Sequence, residues 1–232
     1  VGNNIKVYDP IARENGATNT LVWFDLEDSA KYDTLNTIDS DDLLIAGGVV
    51  NVHHTITAPT ITLDTAGALR VYDNQFVKAD IVEYETSAAN TTLFLTPRFE
   101  KIDSFGIINL DRIILENGVF NVNHSVLARG DNDGNPEGIW MGSDSTINIH
   151  SDVKTSHLIR REDKIEGVTF PIVNTTAVVD GGSLTIDSSV DVDTLDIKSG
   201  TFMFKNISDG IANQPKRDMK VTNDVSVGSG ST

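Results

Sequence analysis

The sequence predicts an all-β chain wound into a right-handed parallel β-solenoid, with coils of about 18–20 residues and loops that leave the stack. Three observations predict it. A phrase of two short apolar strands joined by a glycine bend returns six times, Asn, Asp, Thr, Ser, Ile and Val dominate the reading, and no long helical period occurs. The hand follows from the general chirality of strand crossovers. A two-sheet sandwich is the alternative, but it needs tight two-residue hairpins, and few are evident.

Val1–Asp9 and Leu21–Asp28 read as strands around an Asn15-Gly16 turn. Residues 1–40 do not follow the phrase and are expected to form irregular coils or a cap that shields the end of the stack. The solenoid proper is expected over 41–226. Its first phrase is Leu43–Ile45, a bend at Gly47-Gly48, then Val49–Val52; the second is Ile61–Leu63 turning at Gly67 into Leu69–Val71. Ile81–Tyr84, Leu93–Leu95 and Ile107–Leu110 read as degenerate coils. The phrase resumes at Ile113–Leu115 with Gly118 and Val119–Val122, and at Ile139–Met141 with Asp144 and Ile147–Ile149. It closes with Val178-Val179 turning at Gly182 into Leu184–Ile186, and Leu195–Ile197 turning at Gly200 into Thr201–Phe204. Turn anchors 19 residues apart (Gly48, Gly67) and 18 apart (Gly182, Gly200) give the coil length. Residues 227–232, Gly-Ser-rich, are expected to form a flexible tail or to mark a cut in a longer protein. No charged-plus-apolar leader opens the chain, so a targeting signal is expected to lie outside this sequence.

Alternation within each phrase gives every strand one dry face, which a single coil cannot bury and a stacked neighbour can. Asn51, Asn121 and Asn148 hold one place in three copies and are expected to face solvent, with an inward asparagine ladder as the alternative. Apolar residues are 39% of the 232, below the roughly 45–50% usual for globular chains. Thirty-four acidic against 18 basic residues leave a charge of −16, which speaks against nucleic-acid binding and against docking on anionic lipid. There is no cysteine, and no apolar run is long enough to span a membrane.

The phrase, the wealth of Asn, Thr and Asp, the acidity and the missing cysteine together resemble the passenger domains of type V secreted bacterial autotransporters. The resemblance covers roughly Thr37 to Phe204 as a style of sequence, and this chain lacks their C-terminal membrane barrel. It implies a parallel β-helix on the bacterial cell surface, acting as a secreted adhesin, a self-association factor in biofilm or a virulence toxin. Phage tail fibres and polysaccharide lyases use the same coil.

Several constellations invite chemistry. His54, His124 and His150 follow their turns at one offset, so His124 and His150 would stack if their coils adjoin, enough to share a metal only with a third ligand. Asp131, Asp133 and Asn135 open like a calcium loop, but Pro136 stands where glycine is required; calcium is the one cation considered, and no cofactor is expected. Asp191 and Asp193, between Asp187 and Asp196, share an outer face and would suit polysaccharide cleavage, with Lys198 the nearest candidate base. Trp23, Tyr72 and Tyr84 could stack on sugars, whereas Trp140 is expected in the core. The expected function is adhesion or self-association through a solenoid face and two contact loops. Those loops are Asp131, Asn132, Asp133, Asn135 and Glu137, and the stretch from Lys154 to Glu166 with Arg160, Arg161, Glu162, Asp163 and Lys164. The expected partner is a host surface glycan or protein, or a second copy. A phage tail-fibre segment, a polysaccharide-cleaving enzyme and a passive spacer are the alternatives.

Overall fold

The computed structural model describes residues 6–7, 21–27, 30–34, 37–73, 76–85, 88, 90–97, 101–128, 137–161, 163–165, 168–205, 219–229 and 231–232. The chain opens with β1 (Lys6–Val7), antiparallel to β2 (Leu21–Asp25). From there it winds, three strands to a coil. The first coil is β2, β3 (Lys31–Asp33) and β4 (Ile38–Asp39), and the second is β5 (Asp42–Ala46), β6 (Val49–Val52) and β7 (Ile56–Thr57). The third is β8 (Thr60–Leu63), β9 (Ala68–Val71) and β10 (Val77–Lys78), and the fourth β11 (Ile81–Tyr84), β12 (Thr92–Leu95) and β13 (Lys101–Asp103). The fifth is β14 (Ile107–Leu110), β15 (Arg112–Leu115) and β16 (Gly118–Val122), and the sixth β17 (Val126–Ala128), β18 (Gly138–Met141) and β19 (Ser145–Ile149). The seventh runs through β20 (Asp152–Arg160), a small hairpin of β21 (Asp163–Ile165) and β22 (Val168–Phe170), and the start of β23 (Thr176–Phe204). The rest of β23 makes the eighth coil and enters a ninth, which ends in β24 (Met219–Val227).

Three parallel stacks result. The first face runs β2, β5, β8, β11, β14, β17, the start of β20 and then β23. The second runs β3, β6, β9, β12, β15, β18, the end of β20, then β23 and β24. The third is β4, β7 and β10, and farther along β13, β16, β19 and β23. The protein is therefore a parallel β-solenoid, and its tightest coils advance 18 residues, as from Asp42 to Thr60. All three strands once read as degenerate coils are in the stack.

Columns of inward side chains from all three faces fill the interior. Leu43, Ile61, Val82, Ile108 and Leu184 from the first face, Val50, Leu69, Leu93, Ile113 and Ile139 from the second, and Ile56, Phe120, Ile147 and Val179 from the third are all fully buried. These side chains belong to one buried cluster that runs through the coils, dominated by branched aliphatics.

The glycine bends do not line up in one column. Gly48 and Gly67 stack where the first face turns into the second, Gly118 and Asp144 where the second turns into the third, and Gly182 and Gly200 where the third turns into the first. The phrase therefore marks a corner, and the corner moves round the solenoid. Gly48 (φ +57°) shows why glycine is needed: the backbone is left-handed, and a Cβ would come within 2.8 Å of the Ala30 carbonyl oxygen below.

Two boundaries shift. Stacking begins at Leu21, inside the stretch read as irregular coils or cap, because Leu21–Asp25 pairs in parallel with Asp42–Ala46. At the other end, Thr232 N–H donates to the Gly200 carbonyl at 3.1 Å and its own carbonyl accepts from Phe202 at 2.9 Å, so residues 231–232 lie against the last corner rather than hanging free.

Candidate binding face

On the second face, strands alternate as usual, yet both sides are apolar over four coils. The outward column pairs Arg70 with Phe94, Phe94 with Ile114, Ile114 with Trp140, and Trp140 with Ile159. Trp140 is thus not core: Ile139 and Met141 point in, and the indole between them lies half-buried on the outside. The triplets Leu93-Phe94-Leu95, Ile113-Ile114-Leu115 and Ile139-Trp140-Met141 carry no polar residue to mark the wet side, so alternation alone could not place them.

Arginines frame this strip. All four arginines among the described residues lie on this face or its edge: Arg70, Arg112, Arg160 and Arg161. The Arg70 guanidinium sits 4.5 Å from the Phe94 ring centre and reaches Glu116 at 3.4 Å. Arg161 approaches the same Glu116 oxygen at 3.5 Å from two coils farther on, and Thr96 donates to the other oxygen at 2.6 Å. Gly142 stands on the rung between them, where a Cβ would fall 2.1 Å from the Glu116 carbonyl oxygen. Arg112 lies 5.7 Å from the Trp140 ring centre. Such pairings add up to a cation–π contribution of about 0.5–2 kcal/mol each, depending on how dry the site is.

Arg160 closes the far edge. It donates to Asp191 at 2.5 Å and to Asp193 at 3.1 Å, both on the next coil. Asp193 is buried, and its second oxygen accepts from the Thr175 backbone N–H at 3.0 Å and hydroxyl at 3.2 Å. Thr91 and Asp111 repeat that reciprocal lock at another corner, with bonds of 2.8 and 2.9 Å. So the two aspartates expected as candidate acids do come together, but Arg160 bridges them, Thr175 holds the second Asp193 oxygen, and Lys220 approaches Asp191 at 3.8 Å. Arg160 does this work, and Lys198 takes no part. The charged run from Arg160 to Lys164 suggests a contact loop, whereas residues 154–160 belong to β20, with a register shift between Thr155 and His157.

The other candidates fall as follows. Asp131, Asn132, Asp133, Asn135 and Glu162 lie outside the described residues; Glu137 is buried at the foot of β18, and Asp163 and Lys164 are in β21. Along the chain, 129–136 lead into β18 and the β21–β22 hairpin follows β20, so both expected loops attach to adjacent rungs of this face. His54 stands at the corner after the second face, but His124 and His150 stand at the corner after the third. Those two are offset by a residue, because Val122 pairs with Ile149, and His150 Nδ1 contacts the Asp180 carbonyl at 2.9 Å instead. Among the described residues no group of three or more His, Asp or Glu is placed to hold a metal. Tyr72 stacks on His53 with ring centres 5.1 Å apart. Trp23, 43% exposed, and Leu21 stand outward on the first face, near an open groove of about 510 Å³ that Tyr84 and Asn109 help to line.

The class that fold and face define is a parallel β-solenoid with one arginine- and aromatic-lined flank on an acidic body. No protein-family model, curated protein or solved structure matches the chain.

Proposed function

We propose that this chain is an adhesive module of a bacterial cell surface that binds through the second face of its solenoid. The observation that carries the reading is the outward strip Phe94, Ile114, Trp140 and Ile159, four rungs long, with arginines along it. Phe94, Trp140 and Ile159 are half-buried and Ile114 is buried between them, so the strip is partly open to a partner, and polar rims around apolar centres are how binding faces are built. Rungs spaced about 4.8 Å apart hold these groups in a rigid file, so weak contacts sum along a long ligand. A polysaccharide-cleaving role fits less well, because Arg160 bridges Asp191 and Asp193 and the second Asp193 oxygen is held by Thr175.

Displaying the chain on a non-adherent bacterium and counting cells retained on host-cell layers, or clumping with each other, tests the proposal. Retention or clumping above the undisplayed control is the expected result. Displayed cells that behave like the control overturn it. Light scattering after gel filtration should give a monomer or a monomer–dimer equilibrium, and a stable trimer would favour the tail-fibre alternative.

A further inference from the structure

Resting on that reading of the second face, we propose that Arg112, laid against Trp140, is the anion-binding subsite of a groove for an acidic glycan. A carboxylate or sulfate group of the glycan would face Arg112 while its chain runs along the stack.

Three of the four arginines on this face already hold carboxylates: Arg70 and Arg161 share Glu116, and Arg160 takes Asp191 and Asp193. Arg112 has no ion pair and no side-chain hydrogen bond among the described residues, and its buried Nε lacks a partner. In a chain of charge −16, a guanidinium left without an acid is the exception. The two arginine–aromatic pairs sharpen the point. Both arginines have a buried Nε without a partner, Arg70 at 4.5 Å from the Phe94 ring centre and Arg112 at 5.7 Å from that of Trp140, but Arg70 is completed by Glu116 and Arg112 has no carboxylate among the described residues. A planar guanidinium fixed on a ring keeps its outer N–H groups aligned for a two-pronged bond to a carboxylate or sulfate.

The shape of the face selects a polymer over a lone anion. Beside Arg112 runs the Phe94–Ile159 strip, with Arg70 toward one end and Arg160 and Arg161 toward the other. Linear acidic polysaccharides combine apolar sugar faces, which the strip would seat, with negative groups, one of which Arg112 would take. Salt screens such contacts, so affinity should fall as ionic strength rises.

The test is a titration of the purified chain, followed by tryptophan fluorescence and by calorimetry, with polygalacturonate (carboxylate), heparin (sulfate) and neutral dextran. At least one polyanion should bind and dextran should not. Arg112→Gln should weaken that binding about tenfold or more, the worth of a charged hydrogen-bond pair. Lys78→Gln on the third face should leave it unchanged, and equal urea midpoints for all variants establish that each is folded. Carboxylate-only or sulfate-only binding identifies the group. No binding of either polyanion, equal binding of dextran, or an Arg112→Gln variant that binds as tightly as the parent overturns the proposal. So does self-association that Arg112→Gln abolishes, since the occupant would then be a second acidic copy. Displayed cells that adhere while neither polyanion binds refute only the glycan subsite. Glycan binding without adhesion refutes only the adhesive reading.

Discussion

Residues 31–58 and 101–128 are two versions of one unit, placed on different faces. They align without a gap at an offset of 70, and Lys31, Asp33, Ile38, Asp41, Gly48, Val49, Asn51, Val52, His54 and Ala58 all recur. Their pairings match as well: Lys31, Tyr32 and Asp33 meet Val49, Val50 and Asn51 as Lys101, Ile102 and Asp103 meet Val119, Phe120 and Asn121. Thr34 Oγ1 accepts the backbone N–H groups of His53 and His54 at 2.8 and 3.0 Å, and Ser104 Oγ accepts those of Asn123 and His124 at the same distances. Yet β5 and β6 span the first and second faces, whereas their counterparts β15 and β16 span the second and third. Local sequence specifies the strand–corner–strand unit, and the lengths of the connections between units specify which face receives it.

What differs is the rung that follows. Asn51 Nδ2 donates to Asp33 at 2.8 Å, and its neighbour on the next coil is Arg70. Asn121 Nδ2 donates to Asp103 at 2.7 Å, but its neighbour is Asn148, which donates back to it at 2.8 Å. One ladder stops after a single bond and the other continues.

These parallels can be broken at matched positions, with urea unfolding as the measure throughout. The largest expected effect is in the core, where Phe120→Ala should cost about 3–5 kcal/mol and Val50→Ala about 2, since fewer buried methyl groups are lost. Next, Thr34→Ala and Ser104→Ala should each cost about 2 kcal/mol by orphaning two backbone N–H groups. The two losses should agree, and hydrogen exchange should quicken at His53 and His54 in one variant and at Asn123 and His124 in the other. A large disparity would break the equivalence of the units. Third, Asn121→Ala should cost about 1 kcal/mol more than Asn51→Ala, because it severs two side-chain bonds rather than one. Smallest is Arg70→Gln, at under about 1 kcal/mol, since Arg70 and Glu116 are both partly solvated.

Much of the fold was legible. The phrase located most strands in the stack, the short steps matched the 18-residue coil, and alternation assigned inward residues such as Leu43, Ile45, Val50 and Val52. The rotation was not, because Gly48 and Gly118 look alike whichever corner they occupy. Long steps such as Gly67 to Gly118 were taken as whole coils, when they also carry a shift of one face. The binding face was less legible still. Its middle residues, Phe94, Ile114 and Trp140, are apolar like the core, and their outward placement emerges only when β12, β15 and β18 are stacked. Nor could Arg160 be matched to Asp191 and Asp193 while the number of residues between their coils was unknown.

The one-face advance also gives the rod a thread of its own. From β5 to β15 is three coils and one face, so three units of 70 residues would return the motif to its starting side after ten coils. A rod lengthened by such units would aim each copy of a surface feature 120° from the last. Growth by duplication would then multiply the directions in which the rod can grip, without a change to any loop.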